Sequence, residues 1–306
     1  MLTKSILLLL AASAFAADTI PLETRKEKVR SHLSRGEFSV AAEQAKKMNR
    51  EVPDDVSIYQ LLASAELGLG NYERAEQSIQ WMLDLRIGKA DAAGWLLVAQ
   101  LRDATGDFDG AIDAVNLAFS RIVAGQRPDA QSLLLYAAKL QMFAGKLDNA
   151  EKILKGMPAS GEETLGTLAQ LRIAQQRQAE AIEILRPLTQ PKNLYQLAVA
   201  SGRPEDYQAF ERTALLRKKD ADNANRELIL YYAGVGKRPN DAVKLARQEA
   251  DARHDILTLD ALAIALQEAG SGPEAVTTMK QVLAVGTRNP DILRHAALLG
   301  VQEGFK

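Results

Sequence analysis

The sequence predicts an all-α fold in which pairs of helices stack into one elongated solenoid. Three observations carry that expectation. A six-residue frame anchored by glycine and alanine recurs along the chain, and apolar residues on either side of it step by three and four. Aromatic residues, which favour strands, make up only 5% of the 306 residues.

Taken in order, the first residues read as a targeting segment. Lys4 precedes the apolar run Ile6 to Leu10, and Ala14-Phe15-Ala16 has the small-residue pattern of a signal-peptidase site. Residues 1–16 are therefore expected to be a cleaved leader, too short to span a bilayer. The expected mature chain, 17–306, is exported, periplasmic or secreted, with no integral membrane segment after leader removal. The chain has no cysteine, which removes a lipoprotein anchor, disulfides and thiolate chemistry. Lys and Arg number 38 against 39 Asp and Glu, a balance that argues against nucleic acid or an anionic membrane surface as the partner.

The repeated frame begins at Gly36-Glu37-Phe38-Ser39-Val40-Ala41. It returns as Gly70-Asn71-Tyr72-Glu73-Arg74-Ala75 and as Gly106-Asp107-Phe108-Asp109-Gly110-Ala111. Further copies are Gly145-Lys146-Leu147-Asp148-Asn149-Ala150 and Gly270-Ser271-Gly272-Pro273-Glu274-Ala275. Before Gly70, the positions Ile58, Leu61, Leu62, Ala65 and Leu69 form one helical stripe, and Ala75, Ile79, Met82 and Leu83 form another after it. Glycine suits the left-handed residue that ends the first helix. Ser271 to Glu274 has capping-box spacing, with Pro273 early in the helix. Alanine in the second helix allows close crossing of the pair. Pro53 and Pro128 are expected in the links between pairs.

This pattern resembles the tetratricopeptide repeat family, whose 34-residue helix–turn–helix unit keeps small residues at its eighth and twentieth places. Trp95, Ala99, Gly106 and Ala111 fill the fourth, eighth, fifteenth and twentieth places of one unit. Tyr59, Ala63, Gly70 and Ala75 fill them in the unit before, and Leu134, Ala138, Gly145 and Ala150 in the unit after. Leu259, Ala263, Gly270 and Ala275 match near the end. Other units depart from the pattern: Arg25 and Val29 are unusual in the first, Gln176 replaces a turn glycine, and an extra residue separates Gly236 from Ala242. The resemblance implies a right-handed α-solenoid of about eight repeats with Asp291 to Leu299 as a closing helix. The degenerate stretch 188–220 is the expected bend, and a split into two arrays is the alternative to one superhelix.

In that family the first helices line a concave face. The resemblance places Gln60, Ser64, Leu96, Gln100, Leu135, Lys139, Met142, Phe143, Gln170 and Ile173 in it as a peptide-binding groove. Gln60 and Ser64 stand where some members carry a carboxylate clamp, so that mode of grip is not expected. Leu96, Leu135, Met142, Phe143 and Ile173 instead give an apolar strip suited to an amphipathic or extended apolar segment. Leu135 and Phe143 have a competing assignment as ordinary core.

Catalytic and metal constellations are not found in the sequence. His32, His254 and His295 are the only histidines and are far apart, with no His-Glu-x-x-His pair. No Gly-x-Ser-x-Gly elbow occurs. Gly234-Val235-Gly236-Lys237 lacks the first glycine and the hydroxyl of a phosphate loop and reads as a turn. Arg217-Lys218-Lys219 reads as a solvated helix end. The expected function is a non-catalytic exported scaffold, without cofactor, that binds a protein or peptide in its groove, in an envelope assembly or secretion complex. The alternative is a structural solenoid that self-associates as a homo-oligomer.

Overall fold

The computed structural model describes residues 20–86, 91–122, 127–158, 161–217 and 225–301. The expected leader, and Lys218 and Lys219 of the basic cluster, lie outside the described residues. Among those described there are seventeen helices and no strand. They pair in sequence: α1 (Leu22–Ser34) with α2 (Phe38–Glu51), α3 (Val56–Leu69) with α4 (Tyr72–Arg86), and α5 (Ala92–Ala104) with α6 (Phe108–Ser120). Then come α7 (Arg127–Phe143) with α8 (Leu147–Lys155), α9 (Glu162–Ala174) with α10 (Gln178–Leu185), and α11 (Pro191–Ser201) with α12 (Pro204–Leu216). The last pairs are α13 (Asn225–Ala233) with α14 (Pro239–Ala252) and α15 (Ile256–Glu268) with α16 (Gly272–Ala284), followed by α17 (Pro290–Leu298).

Local chemistry sets the ends of these helices. Asp55, Asp91, Asp107, Asp255 and Asn289 each accept a hydrogen bond from a backbone N–H in the first turn that follows. Ser271 does not. Its side chain makes no capping bond. Its helix begins instead on Gly272 and Pro273. Pro128 also differs from expectation, falling in the first turn of α7 rather than in a link.

The repeated alanines are among the most deeply buried residues of the stack. Ala41, Ala75, Ala111, Ala150 and Ala275 in the second helices are fully buried, as are Ala63, Ala99, Ala138 and Ala263 in the first. Such burial suits alanine at a helix crossing, where a larger side chain would hold the backbones further apart. The core is a series of hydrophobic clusters along the stack, most of them shared between adjacent helix pairs, because each pair buries its apolar faces on its neighbours. In the degenerate stretch, Phe210 and Ala214 of α12 pack with Leu228, Ile229 and Tyr232 of α13, carrying the stack onward.

The solenoid also touches itself one superhelical turn later. The His254 N–H donates to the Leu69 carbonyl at 2.9 Å, and the Ile256 N–H donates to the Tyr72 hydroxyl at 3.1 Å, across 184 residues. Tyr72 and Ala104 pack against a cluster containing Ile256, Met279 and Ile292. One unit further along, the α5–α6 turn meets the α16–α17 link: a methyl built on Gly106 would lie 2.6 Å from the Gly286 carbonyl oxygen. Turns on one edge of the ribbon thus rest on links of the other edge, and the groove becomes a chamber that is still open to solvent.

Candidate functional site

The chamber has a volume of about 1160 Å³ and is lined largely by the first helix of each pair, α3, α5, α7, α9, α11 and α13. On α5 the lining residues Ala93, Leu96, Gln100 and Asp103 step by three and four, one face of a helix turned inward. The loop at Arg253, Asp255 and Ile256 closes the far side. Apolar surface dominates the wall, which includes Leu96, Phe143 and Tyr195, with Phe143 set against Phe108 at 5.8 Å between ring centres.

Of the ten residues expected in the groove, Ser64, Leu96, Gln100, Phe143 and Gln170 line the chamber. The others are placed differently. Leu135 is 2% exposed, packed with Ala138, Leu154 and Leu171 between neighbouring units, and Met142 packs on the same cluster. The reason is rotation of α7: its lining positions are Ser132, Leu133, Tyr136 and Phe143, so Leu135 points into the interface with α8 and α9. Gln60 donates to Asp91 Oδ1 at 2.8 Å, bracing the cap of α5. Lys139 pairs with Glu163 at 3.7 Å. Ile173 is exposed but does not line the chamber.

Polar groups of the wall are held by one another. The Tyr136 hydroxyl donates to Asp103 Oδ2 at 3.0 Å. Burial pushes the Asp103 carboxyl up, and the Tyr136 hydrogen bond only partly opposes it. Burial, followed by the nearby Asp103 charge, raises the Tyr136 phenol. Burial likewise pushes Tyr72 and Tyr195 up to about 12.

Sequence reasoning missed Lys192, Tyr195, Gln196 and Arg226, which sit on α11 and α13. Both helices belong to units that depart from the repeat, so their inward face had no register to be read from. Tyr72, Arg253 and Asp255 reach the chamber only through superhelical closure, which leaves no local sequence signal. The structure also joins two histidines to charged partners, His32 to Glu37 within the first helix pair and His295 to a buried cluster. His295 Nδ1 lies 2.8 Å from Asp260 Oδ1, and Arg226 is 3.0 Å from Asp260 Oδ2. Asp260 is fully buried, and this cluster ties α13, α15 and α17 together. Among the described residues no group of His, Asp and Glu is arranged to hold a metal ion, and no helix is long and apolar enough to cross a membrane.

Antiparallel helix pairs, small residues at both crossing points and first helices lining the hollow decide the architecture. The fold is a tetratricopeptide-like α-solenoid. No family model matches the chain, and no curated protein matches it in sequence. Among solved structures, the Cut9–Hcn1 hetero-tetramer of the APC/C aligns over 91% of this chain and 50% of that one, at 15% identity and a TM-score of 0.46. The C-terminal part of a TPR repeat-containing protein from Cytophaga hutchinsonii aligns over 88% of this chain and 98% of that one, at 15% identity and a TM-score of 0.44. A tetratricopeptide repeat protein from Parabacteroides merdae aligns over 91% and 98%, with the same identity and score. The chain thus spans half the length of the first of these and nearly the whole of the other two.

Proposed function

We propose that this solenoid is a non-catalytic interaction module that holds a segment of a partner protein or peptide in its central chamber. The observation that supports this most is the chamber itself: a concave, mainly apolar hollow with a few placed polar groups, the general form of a binding site. Three of its charged groups serve structure, since Asp255 caps α15, and Arg226 and Arg253 are matched by carboxylates, while Lys192 and Glu227 line it as well. The leader-like N-terminus supports a place outside the cytoplasm, within an envelope assembly or secretion complex. A photoreactive amino acid at Gln100 tests the reading in the native host. Crosslinks to one partner from Gln100 and Leu96, and none from Gln80 on the outer helix α4, are the expected result. The same products from inner and outer positions, or none, would discard it. N-terminal sequencing of the protein from its host should begin at Ala17.

A second reading, self-association, has one observation in its favour. Trp81 and Phe119, on outer helices α4 and α6, are 59% and 46% exposed, more than large rings usually are. Light scattering separates the two: a stable dimer that Trp81→Glu converts to monomer favours self-association, and a monodisperse monomer favours a partner of another kind.

A further inference from the structure

One unmatched carboxylate on the chamber wall carries a more specific inference, which rests on the proposal that the chamber holds a segment of a partner. Asp103, Glu227, Asp255 and Asp291 all line the hollow. Asp255 lies 3.5 Å from Arg253, Asp291 lies 3.0 Å from Arg294, and Glu227 stands in the field of Arg226. Asp103 has no such companion among the described residues. Burial and the Tyr136 hydrogen bond are the influences on its carboxyl, and no cation acts on it. Lys192, the wall's cation without an ion pair, sits on α11 and exerts no effect there either.

The surroundings of Asp103 suit a cation from outside. Tyr136 holds Oδ2 at 3.0 Å, while Oδ1 makes no hydrogen bond and is not sealed within the protein. Gln100, one turn earlier on the inward face of α5, is exposed, and its amide has no hydrogen-bond partner. Burial, and after it the charges of Asp255 and Asp103, raise the Tyr72 phenol, which lines the chamber too, so the potential at this corner is negative. An anion would meet the Asp103 charge. A neutral donor could reach Oδ1 but would leave a half-buried carboxylate without compensation. An ammonium or guanidinium supplies both the donor and the charge. Carboxylates kept where burial works against them are characteristic of functional sites.

We propose that Asp103 anchors a basic side chain, lysine or arginine, of the partner segment held in the chamber. Oδ1 accepts from the ammonium or guanidinium while Tyr136 fixes Oδ2, and the Gln100 amide oxygen accepts alongside.

Random short peptides displayed on phage and selected on the intact chain should enrich sequences with Lys or Arg at one fixed place. The best peptide, made synthetically with a fluorophore, is titrated by anisotropy beside versions in which each basic residue in turn becomes norleucine. One replacement should weaken binding to the wild type about tenfold, as expected for a charge-assisted hydrogen bond lost at a partly accessible site. Asp103→Asn, which keeps an acceptor for Tyr136, should bind the basic peptide about tenfold more weakly than the wild type does and the norleucine peptide equally well. Enriched peptides without a basic residue, or coupling to Glu227→Gln in place of Asp103→Asn, would overturn the inference while leaving peptide binding standing. A wild type indifferent to every norleucine replacement would overturn it without recourse to any variant. If no peptide is enriched, the proposed function falls and the subsite with it. Binding of spermidine through Asp103 in that case would assign the carboxylate to a free polyamine instead.

Discussion

At the scale of single residues, the chamber wall shows burial working against charge. Asp103 keeps its carboxyl in a desolvated wall with one hydrogen bond from Tyr136, and its affinity for a proton rises above that of an ordinary aspartate. The folded state therefore binds that proton more readily than the unfolded chain. This group's contribution to stability is intact at acid pH and is lost as pH rises through the raised value. Asp103→Asn, which keeps an acceptor for Tyr136, should melt higher than the wild type at about pH 7 and together with it at about pH 3, below the ordinary carboxylate range. Equal melting temperatures at both pH values would show that the raised affinity has no energetic consequence. Lys26 presents the opposite arrangement. Buried in α1, it pairs with Asp55 at 2.6 Å and Glu23 at 2.8 Å, fastening α1 to the cap of α3. Lys26→Ala should cost about 3 kcal/mol in chemical denaturation, because the removed ammonium leaves the Asp55 carboxylate unmatched in a partly buried site.

At the scale of helices and turns, the repeat was legible because its punctuation is chemical. Glycine stands in the left-handed position at Gly70 and Gly106, with φ of 77° and 81°. Where α9 turns into α10 that position belongs to Gln176, with φ of 62°, and a side chain there is strained. Gln176→Gly should stabilise the protein by about 1 kcal/mol in chemical denaturation, relief of strain outweighing the added freedom of the unfolded chain. Lys237, with φ of 50°, accommodates the extra residue noted between Gly236 and Ala242 in the same way. The inward faces were less legible than the turns. Leu133 and Leu135 are both buried apolar residues of one helix, and only the packing of α7 decides that Leu135 joins the cluster shared with α8 and α9 while Leu133 packs in another cluster and also borders the chamber.

At the scale of the whole molecule, the defining feature is the contact between successive superhelical turns. It is narrow. A methyl on Gly70 would lie 2.4 Å from the His254 carbonyl carbon, whereas one on Gly145 would meet nothing within 4 Å. Both glycines are left-handed, with φ of 77° and 73°, so alanine strains both turns alike. Gly70→Ala should in addition part the two turns, raising the radius of gyration in small-angle scattering and speeding hydrogen exchange at the His254 amide. Gly145→Ala should lose stability without expanding. Equal scattering from the two variants would show that the seam does not hold the two turns together.

The sequence by itself determined the helix pairs, their glycine turns and the alanine crossings, because each follows from contacts within a few turns of chain. Only the tertiary structure decided that the groove closes, which residues of α7, α11 and α13 face it, and that Tyr72 and Asp255 share its rim. Those outcomes depend on small rotations between units that accumulate over 184 residues, and no local pattern of residues records their sum.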